Sequence, residues 1–250
     1  KNGIHPSYVQ NMLNDNRYVE EDIIAVLDHL SAVGGKQFSF DALNGALQFY
    51  RRKPSGTWAP KTVIKNRDVL ILGSGPGLAA HRGAIEKFVR HTNSIVLALN
   101  TQSDISSDLI DFRVACHPVR LLADVEVHRK LPEPLIAPVS MLPKTLVTEL
   151  EGKELLDFGL GLTDGAFAFH ETCCLAPKSL VLAYALAIAT SGLASRIALA
   201  GFDGYERGDT RNDEVEDLLH IFSQSNLAIE VFSITPTQYR GLLSRSVYAI

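Results

Sequence analysis

The chain has 250 residues, of which 46% are hydrophobic and 21% charged, as in ordinary globular domains. Its formal net charge of −4 gives no electrostatic attraction to nucleic acid or to an anionic membrane. No apolar run reaches the ~18 residues that span a bilayer, so no membrane span is expected. Nucleic acid is not expected as a partner either, because of the net charge. The three cysteines, at positions 116, 173 and 174, have neither metal-ligand spacing nor a disulfide pattern. They predict a reducing, cytoplasmic setting and no metal site.

The first 50 residues predict a small all-helical segment. The acids of Val19-Glu20-Glu21-Asp22 favour a helix start, apolar residues follow at helical spacing, and Gly34-Gly35 ends the pattern. Residues 51–67 then predict a linker, because prolines, glycine and basic residues disfavour helix and strand. Trp58 is predicted to dock this linker on a neighbouring element. Since the sequence begins without Met, we expect it to be part of a longer chain.

Residues 68–250 alternate apolar strand-like runs with helix-like segments, which predicts an α/β domain with a mostly parallel sheet flanked by helices. Residues 141–170 are predicted to be loop-rich and to form a lid. Asn212 is the predicted N-cap of the last helix. The predicted strands are 68–72, 94–99, 111–116, 134–137, 196–201 and 229–234, and the predicted helices are about 77–91, 176–191 and 213–225.

The first strand of this domain runs into Gly73-Ser74-Gly75-Pro76-Gly77, residues 73–77, which we call the glycine turn. Glycines let a ligand approach the main chain, and a following helix offers free N–H groups to a phosphate. A plain tight connection is the alternative. The dinucleotide pattern needs a glycine where Leu78 stands and an acid where the second strand ends at Asn100. We therefore expect a nucleotide other than NAD.

Further candidates lie at the predicted carboxyl ends of strands, where ligands bind in open α/β sheets. The proposed nucleotide-binding residues are Gly73, Ser74, Gly75, Pro76, Gly77, Asn100, Thr101, Gln102, Asp203 and Thr235, and the proposed catalytic residues are His117, His170 and Tyr205. His117 is the first candidate for a general base. Each has a structural alternative: a turn-capping amide, a loop carboxylate, a packed rim aromatic or a buried histidine.

The N-terminal segment resembles the helical tail of pyruvate aldolases of the hydroxymethylglutaryl-CoA-lyase type. The matching residues are Gly3-Ile4-His5-Pro6-Ser7-Tyr8-Val9-Gln10, Val19-Glu20-Glu21-Asp22-Ile23 and Phe40-Asp41. In those enzymes the tail follows a TIM barrel. The resemblance therefore implies an aldolase barrel upstream as a fusion partner, without giving this chain aldolase activity.

Residues 68–250 resemble the Rossmann-like group of CMP-sialic-acid-dependent bacterial sialyltransferases and 6-hydroxymethylpterin diphosphokinase-like proteins. The glycine turn, Asn100-Thr101-Gln102, the apolar helix and Gly201-Phe202-Asp203-Gly204-Tyr205 match in order. The resemblance implies CMP over the glycine turn and Asn100, with Tyr205 near the leaving phosphate. The sialyltransferases have Asn where Ser74 stands, and their catalytic His lies where this chain has Gly208-Asp209-Thr210-Arg211.

Three functional hypotheses follow from these patterns. The first is a CMP-type glycosyltransferase-like domain in bacterial surface-polysaccharide synthesis, with a CMP-sugar as substrate and no resident cofactor. The second is a non-catalytic nucleotide-binding domain that regulates or assembles the aldolase, and the absence of His from the loop after Tyr205 supports it. The third is a diphosphokinase-like phosphotransferase, which would need Mg²⁺ near Asp104 and Asp108. A homo-oligomer is compatible with all three.

Overall fold

The computed structural model describes residues 53–227 and 229–249. The predicted helices of residues 1–50, and the aldolase-like motifs they carry, lie outside the described residues. The division into tail, linker and nucleotide-binding domain therefore stays a prediction. None of the helices in the described part is both long and apolar enough to cross a bilayer.

Within the described residues, eight parallel strands form the main sheet, and the predicted α/β fold with its Rossmann-like, helix-flanked sheet is confirmed. Their order across the sheet is β11-β10-β9-β1-β2-β3-β4-β5. The bounds are Val69–Leu72 (β1), Ile95–Leu99 (β2), Phe112–Val114 (β3), Leu135–Ala137 (β4), Leu155–Asp157 (β5), Ile197–Ala200 (β9), Val231–Ser233 (β10) and Leu243–Ser244 (β11).

Both faces of this sheet are covered. Successive strand side chains point to opposite faces. In β1, Val69 and Ile71 join one buried cluster, whereas Leu70 and Leu72 join the other. The helices are Lys61–Ile64 (α1), Pro76–Ala80 (α2), Arg82–His91 (α3), Pro118–Ala123 (α4), Val125–Lys130 (α5), Lys144–Glu149 (α6), Val181–Ser191 (α7) and Thr210–Ser223 (α8), with 3₁₀ turns at Ser107–Leu109 and Val139–Met141.

The order of the strands reverses beside β1. From β1 the chain adds β2 to β5 on one side, and it returns to place β9, β10 and β11 on the other. Arg196 and Asp68 pair at the amino ends of β9 and β1. At the opposite edge, the carboxyl ends of β1 and β9 bring the glycine turn beside residues 201–205. This is the position where open α/β sheets bind ligands.

The prediction of a loop-rich lid over residues 141–170 is wrong. That stretch contains α6, the edge strand β5, and two strands of a second sheet with the order β6-β8-β7. The bounds of these strands are Gly159–Leu162 (β6), Ala168–Phe169 (β7) and Cys173–Ala176 (β8). Gly159 marks close packing rather than loop, because a Cβ there would lie 2.3 Å from the carbonyl oxygen of Ser55. Gly165, with φ 62° and open space around it, is in a turn between strands.

The segment before α1 is packed into the domain, although its composition predicts a linker. Residues 54–58, which we call the strap, cross the end of β5. The amides of Thr57 and Trp58 both donate to the carbonyl oxygen of Asp157, each at 2.9 Å. The Trp58 ring lies 6.0 Å from that of Phe112, so the predicted docking of Trp58 is confirmed.

Several helix boundaries differ from the prediction. The first predicted helix is two helices, α2 and α3, which meet at His81. Helix α7 begins at Val181, because Ala176 ends β8 and residues 177–180 form the connection between that strand and the helix. The N-cap of α8 is Asp209, whose carboxylate accepts from the amide of Arg211 at 2.9 Å. Asn212, the predicted cap, binds the backbone of Tyr205 instead.

The imidazole of His128 in α5 is fully buried, and neither nitrogen has a hydrogen-bond partner among the described residues. Burial, followed by the charges of Arg113, Lys153 and Arg120, lowers the pKa of His128 from 6.5 to about 4. The unfolded chain therefore takes up this proton first as the pH falls. The stability that neutral His128 contributes is present above pH 6.5 and is lost between pH 6.5 and about 4.

We expect His128→Leu to flatten the acid side of the stability profile. The wild-type loss attributable to this group is at most about 3 kcal/mol, and the variant lacks it. Urea unfolding at pH 7.0 and 4.5 measures the difference. His220→Gln, at an exposed position of α8, is the matched control and should leave the profile unchanged. Parallel profiles for wild type and His128→Leu would contradict the assignment.

Candidate functional site

The glycine turn is held against the end of β9 by main-chain hydrogen bonds. The amide of Gly73 donates to the carbonyl oxygen of Ala200, and that of Gly75 to the carbonyl oxygen of Gly201, each at 2.8 Å. A Cβ on Gly73 would lie 2.5 Å from the oxygen of Gly201, so this first position has no room for a side chain. Ser74 and Pro76 are exposed at the edge of the sheet.

The carboxylate of Asp203 lies inside the glycine turn. Its Oδ1 accepts from the amide of Gly77 at 2.9 Å, at the start of α2. A Cβ on Gly75 would lie 2.2 Å from Oδ2, and a Cβ on Gly77 would lie 2.3 Å from Oδ1. The second and third glycines thus make room for an internal carboxylate. The Gly77 N–H thus has a partner within the chain that the sequence does not reveal. The other carboxylate oxygen, Asp203 Oδ2, is buried and has no hydrogen-bond partner among the described residues.

Residues 100–102, which we call the β2 turn, follow the neighbouring strand. Asn100 has φ 52°, a left-handed conformation that Asn tolerates better than most residues. The main-chain amide of Asn100 donates to the carbonyl oxygen of Val114 at 2.8 Å. Thr101 is half-buried, whereas Gln102 is buried with neither amide atom hydrogen-bonded within the described part of the chain. Polar groups are therefore concentrated beside the glycine turn.

Tyr205 lies two residues beyond Asp203 in an ordered loop. The guanidinium of Arg211 covers its ring at 3.9 Å from the centroid, and the same guanidinium pairs with Asp209. The amide of Tyr205 donates to Asn212 Oδ1 at 2.8 Å, and Gln238 Nε2 donates to the carbonyl oxygen of Tyr205 at 2.6 Å. Tyr205 remains 41% exposed.

The two candidate catalytic histidines lie in different parts of the fold. His117 follows β3, caps the start of α4 and is buried. Burial, with a smaller effect of Arg120, lowers the pKa of His117 from 6.5 to about 4, so its ring is neutral at pH 7. His170 is exposed in the turn between β7 and β8, where its amide donates to the carbonyl oxygen of Cys173 at 3.0 Å. His117 is therefore at the carboxyl edge of the main sheet, whereas His170 belongs to a turn of the second sheet.

Thr235, the last candidate, follows β10 and is buried. Its Oγ1 accepts from the amide of Gly201 at 3.0 Å, where Gly201 has φ 74°. The hydroxyl therefore stabilises the turn after β9. Across residues 53–227 and 229–249, no three His, Cys, Asp or Glu side chains are grouped as metal ligands, and Asp108 pairs with Arg90 at 3.4 Å.

Sequence reasoning missed two arginines near this edge. Arg113 in β3 is 1% exposed and reaches the β2 turn. Arg120 in α4 is beside His117, and its Nε is 3.9 Å from Asp124 Oδ2. A signal for Arg113 was present, since a charged residue inside an apolar strand of a covered sheet must be paired. No comparable signal marks Arg120, whose place depends on where α4 begins.

No protein-family model matches the chain, and no curated protein matches it in sequence. Among solved structures, it is similar to the MAf glycosyltransferase from Magnetospirillum magneticum AMB-1, with a TM-score of 0.55 and 14% sequence identity. The likeness covers 93% of this chain and 43% of the MAf chain. The two share a fold, and the chain described here spans less than half of the length of that protein.

Proposed function

We propose that the domain binds a CMP-type nucleotide at the carboxyl edge of the sheet and acts as a glycosyltransferase-like unit. One observation carries the proposal: the glycine turn and residues 201–205 meet where the strand order reverses. Ligands of open α/β folds bind at this position. The MAf glycosyltransferase has the same fold, which supports the proposal by analogy. An upstream aldolase and a place in bacterial surface-glycan synthesis belong to the same proposal.

The chemistry proposed is direct displacement at the anomeric carbon of a CMP-sugar. An acceptor hydroxyl oxygen forms the new bond, a histidine takes its proton, and the bond to the phosphate oxygen breaks with its electron pair on the phosphate. Tyr205, a partly exposed residue of the loop after β9, would donate a hydrogen bond from its hydroxyl to that leaving phosphate. His117 is neutral at pH 7 and so is in the form that accepts a proton.

A non-catalytic nucleotide-binding domain is the second candidate, and the environment of His117 favours it. A general base works best with a pKa near the working pH, whereas burial holds the pKa of His117 at about 4. The loop after Tyr205 carries no histidine, and its Arg211 is already paired with Asp209. Such a domain would bind the nucleotide and report on it to the aldolase.

Nucleotide binding is tested by thermal unfolding with CMP, CDP, UDP, GDP and ATP, each with and without Mg²⁺. A ligand at a hundred times its Kd stabilises the folded state by about 2.7 kcal/mol, and we expect CMP to give the largest shift. Asn100→Gly is the matched variant, because glycine can keep the φ of 52° and the substitution removes the side-chain amide. It should fold and lose most of the CMP shift.

The absence of a shift with every nucleotide would contradict both candidate functions. If CMP binds, turnover of CMP-sugars separates them. We expect Tyr205→Phe, which keeps the ring under Arg211, to lower turnover at least tenfold with CMP affinity unchanged. Binding of CMP without any hydrolysis or transfer by the wild type would favour the non-catalytic domain. Binding that strictly requires Mg²⁺ would instead indicate a phosphotransferase.

A further inference from the structure

The central residue of strand β3 is an arginine, Arg113. Arg113 is 1% exposed, although the neighbouring positions along covered parallel strands are apolar. Moving a guanidinium out of water costs several kcal/mol unless its N–H groups find acceptors. An aliphatic residue would form the same strand without that cost. The role of this buried charge is therefore inferred from the groups that accept hydrogen bonds from Arg113.

The guanidinium contacts two kinds of acceptor. Nε donates to Glu133 Oε2 at 2.8 Å, and Nη2 donates to Oε1 of the same carboxylate at 3.2 Å. Nη1 points the other way and donates to the backbone carbonyl oxygen of Gln102, with that of Asn100 at 3.4 Å. Glu133 also accepts from the hydroxyl of Ser107. One buried side chain thus fixes both ends of the β2 turn.

The carbonyl contacts matter more to the turn than the ion pair does. Replacing a buried ion pair by apolar residues of similar size is often neutral for stability. Such a replacement cannot reproduce a donor to the oxygens of Asn100 and Gln102. Asn100 has a left-handed φ of 52°, which Asn tolerates better than most residues and which hydrogen bonds from outside the turn stabilise further. Arg113 supplies such hydrogen bonds from beneath the turn.

The turn that Arg113 holds contains a buried polar side chain without hydrogen-bond partners in the described part of the chain. The side chain of Gln102 is 7% exposed, and both its amide oxygen and its amide nitrogen lack a hydrogen-bond partner among the described residues. Each buried group left in that state costs about 1–3 kcal/mol. A ligand edge with one donor and one acceptor, as on a nucleobase, would complement this amide.

We propose that Arg113 is a positioning residue for nucleotide binding: it fixes the β2 turn so that Asn100 and the Gln102 amide are held ready for the base or sugar of the ligand. This inference rests on the proposed function. It makes Arg113 necessary for affinity beyond its contribution to folding. It also predicts that the turn, rather than the whole domain, loosens when the guanidinium is lost.

The test compares nucleotide affinity with local order of the turn. Arg113→Met/Glu133→Leu removes the fork and leaves no unpaired charge. Arg113→Lys keeps a charge but not the fork geometry. Glu133→Gln keeps the guanidinium and its donors to the carbonyl oxygens of the β2 turn, but it removes the counter-charge and one of the two side-chain acceptors. The control, Arg196→Met/Asp68→Leu, removes a partly exposed arginine–carboxylate pair at the amino edge of β9 and β1, away from the β2 turn. Calorimetry with CMP gives the Kd, and hydrogen exchange of the amides of Asn100 and Gln102 reports on the turn.

We expect the double variant to bind CMP at least tenfold more weakly, Arg113→Lys about threefold more weakly, and Glu133→Gln and the control within twofold of wild type. Exchange at the β2 turn should be faster in both Arg113 variants, with exchange at Gly75 unchanged. Unchanged exchange at the turn would overturn the inference, whatever the nucleotide does. Wild-type protein that binds no nucleotide, with exchange altered as expected, would overturn the proposed function and with it the ligand role of Arg113. If the double variant does not fold, Arg113→Lys alone decides by the same two measurements.

Discussion

Gly56→Ala is expected to destabilise the fold by about 3 kcal/mol or more, although Gly56 lies in a stretch whose composition is that of a linker. A Cβ at this position would lie 2.3 Å from the carbonyl oxygen of Thr172, 2.6 Å from the amide nitrogen of Gly159 and 2.7 Å from the carbonyl oxygen of Asp157. All three atoms are backbone: Asp157 and Gly159 belong to different sheets, and Thr172 directly precedes β8. No side chain can rotate away to relieve the overlap.

The control for this variant is Gly83→Ala in α3, where a Cβ would meet nothing within 4 Å. Because alanine is the better helix former, this change should stabilise the protein by about 0.5–1 kcal/mol. Thermal and urea unfolding of both variants give the comparison, and the Gly56→Ala loss corresponds to a fall in Tm of roughly 6–12 °C. Equal stability of the two variants would show that the strap is not packed as described.

The second large effect is a coupling between the glycine turn and Asp203. Gly77→Ala alone should cost about 1–3 kcal/mol, because the new Cβ would lie 2.3 Å from Asp203 Oδ1. In an Asp203→Ala background the obstacle is gone, and alanine is preferred over glycine within α2. The same substitution should then be neutral or stabilising. The double-mutant cycle is expected to give a coupling of about 1–3 kcal/mol.

Gly75→Ala provides the matched control for that cycle. Its Cβ would meet Asp203 Oδ2 at 2.2 Å but also the backbone oxygen of Gly201 at 2.7 Å. Removing the Asp203 carboxylate relieves only the first contact, so Gly75→Ala should stay costly in both backgrounds. The free energies of unfolding of the two cycles are compared by urea titration. Additive effects of Gly77→Ala and Asp203→Ala would contradict the position of the carboxylate.

The central strands could be predicted because their signal is local. Four consecutive apolar residues before the glycine turn are sufficient to identify β1 as a covered strand, and β2 and β9 follow the same rule. The strands from β5 to β8 escaped prediction because each has only two to four residues, and β6 alternates glycine with leucine. The strap contacts the end of β5 from a hundred residues away, through Thr57 and Asp157. No local pattern reports such a contact.

The sequence predicts at which edge of the sheet the candidate site lies, but not which residues contact each other there. Strand ends alone indicate that residues 73–77, Asn100 and Asp203 share one side of the sheet. The hydrogen bond from Gly77 to Asp203 joins residues 126 positions apart, so the purpose of the glycines became visible only in three dimensions. Sequence reasoning explained these glycines by a ligand, whereas two of them accommodate a carboxylate of the chain itself.

The late return of the chain to β1 has a consequence for synthesis on the ribosome. Asp68 and Arg196, at the amino ends of β1 and β9, are separated by 128 residues. At about 5–20 residues per second, the ribosome needs roughly 6–25 s to make the strand that covers the free edge of β1. During that interval an apolar strand edge is open to pairing with other chains. Nascent chains that stop before residue 200 should therefore depend on chaperones, and they cannot yet contain the paired edge where the nucleotide is proposed to bind.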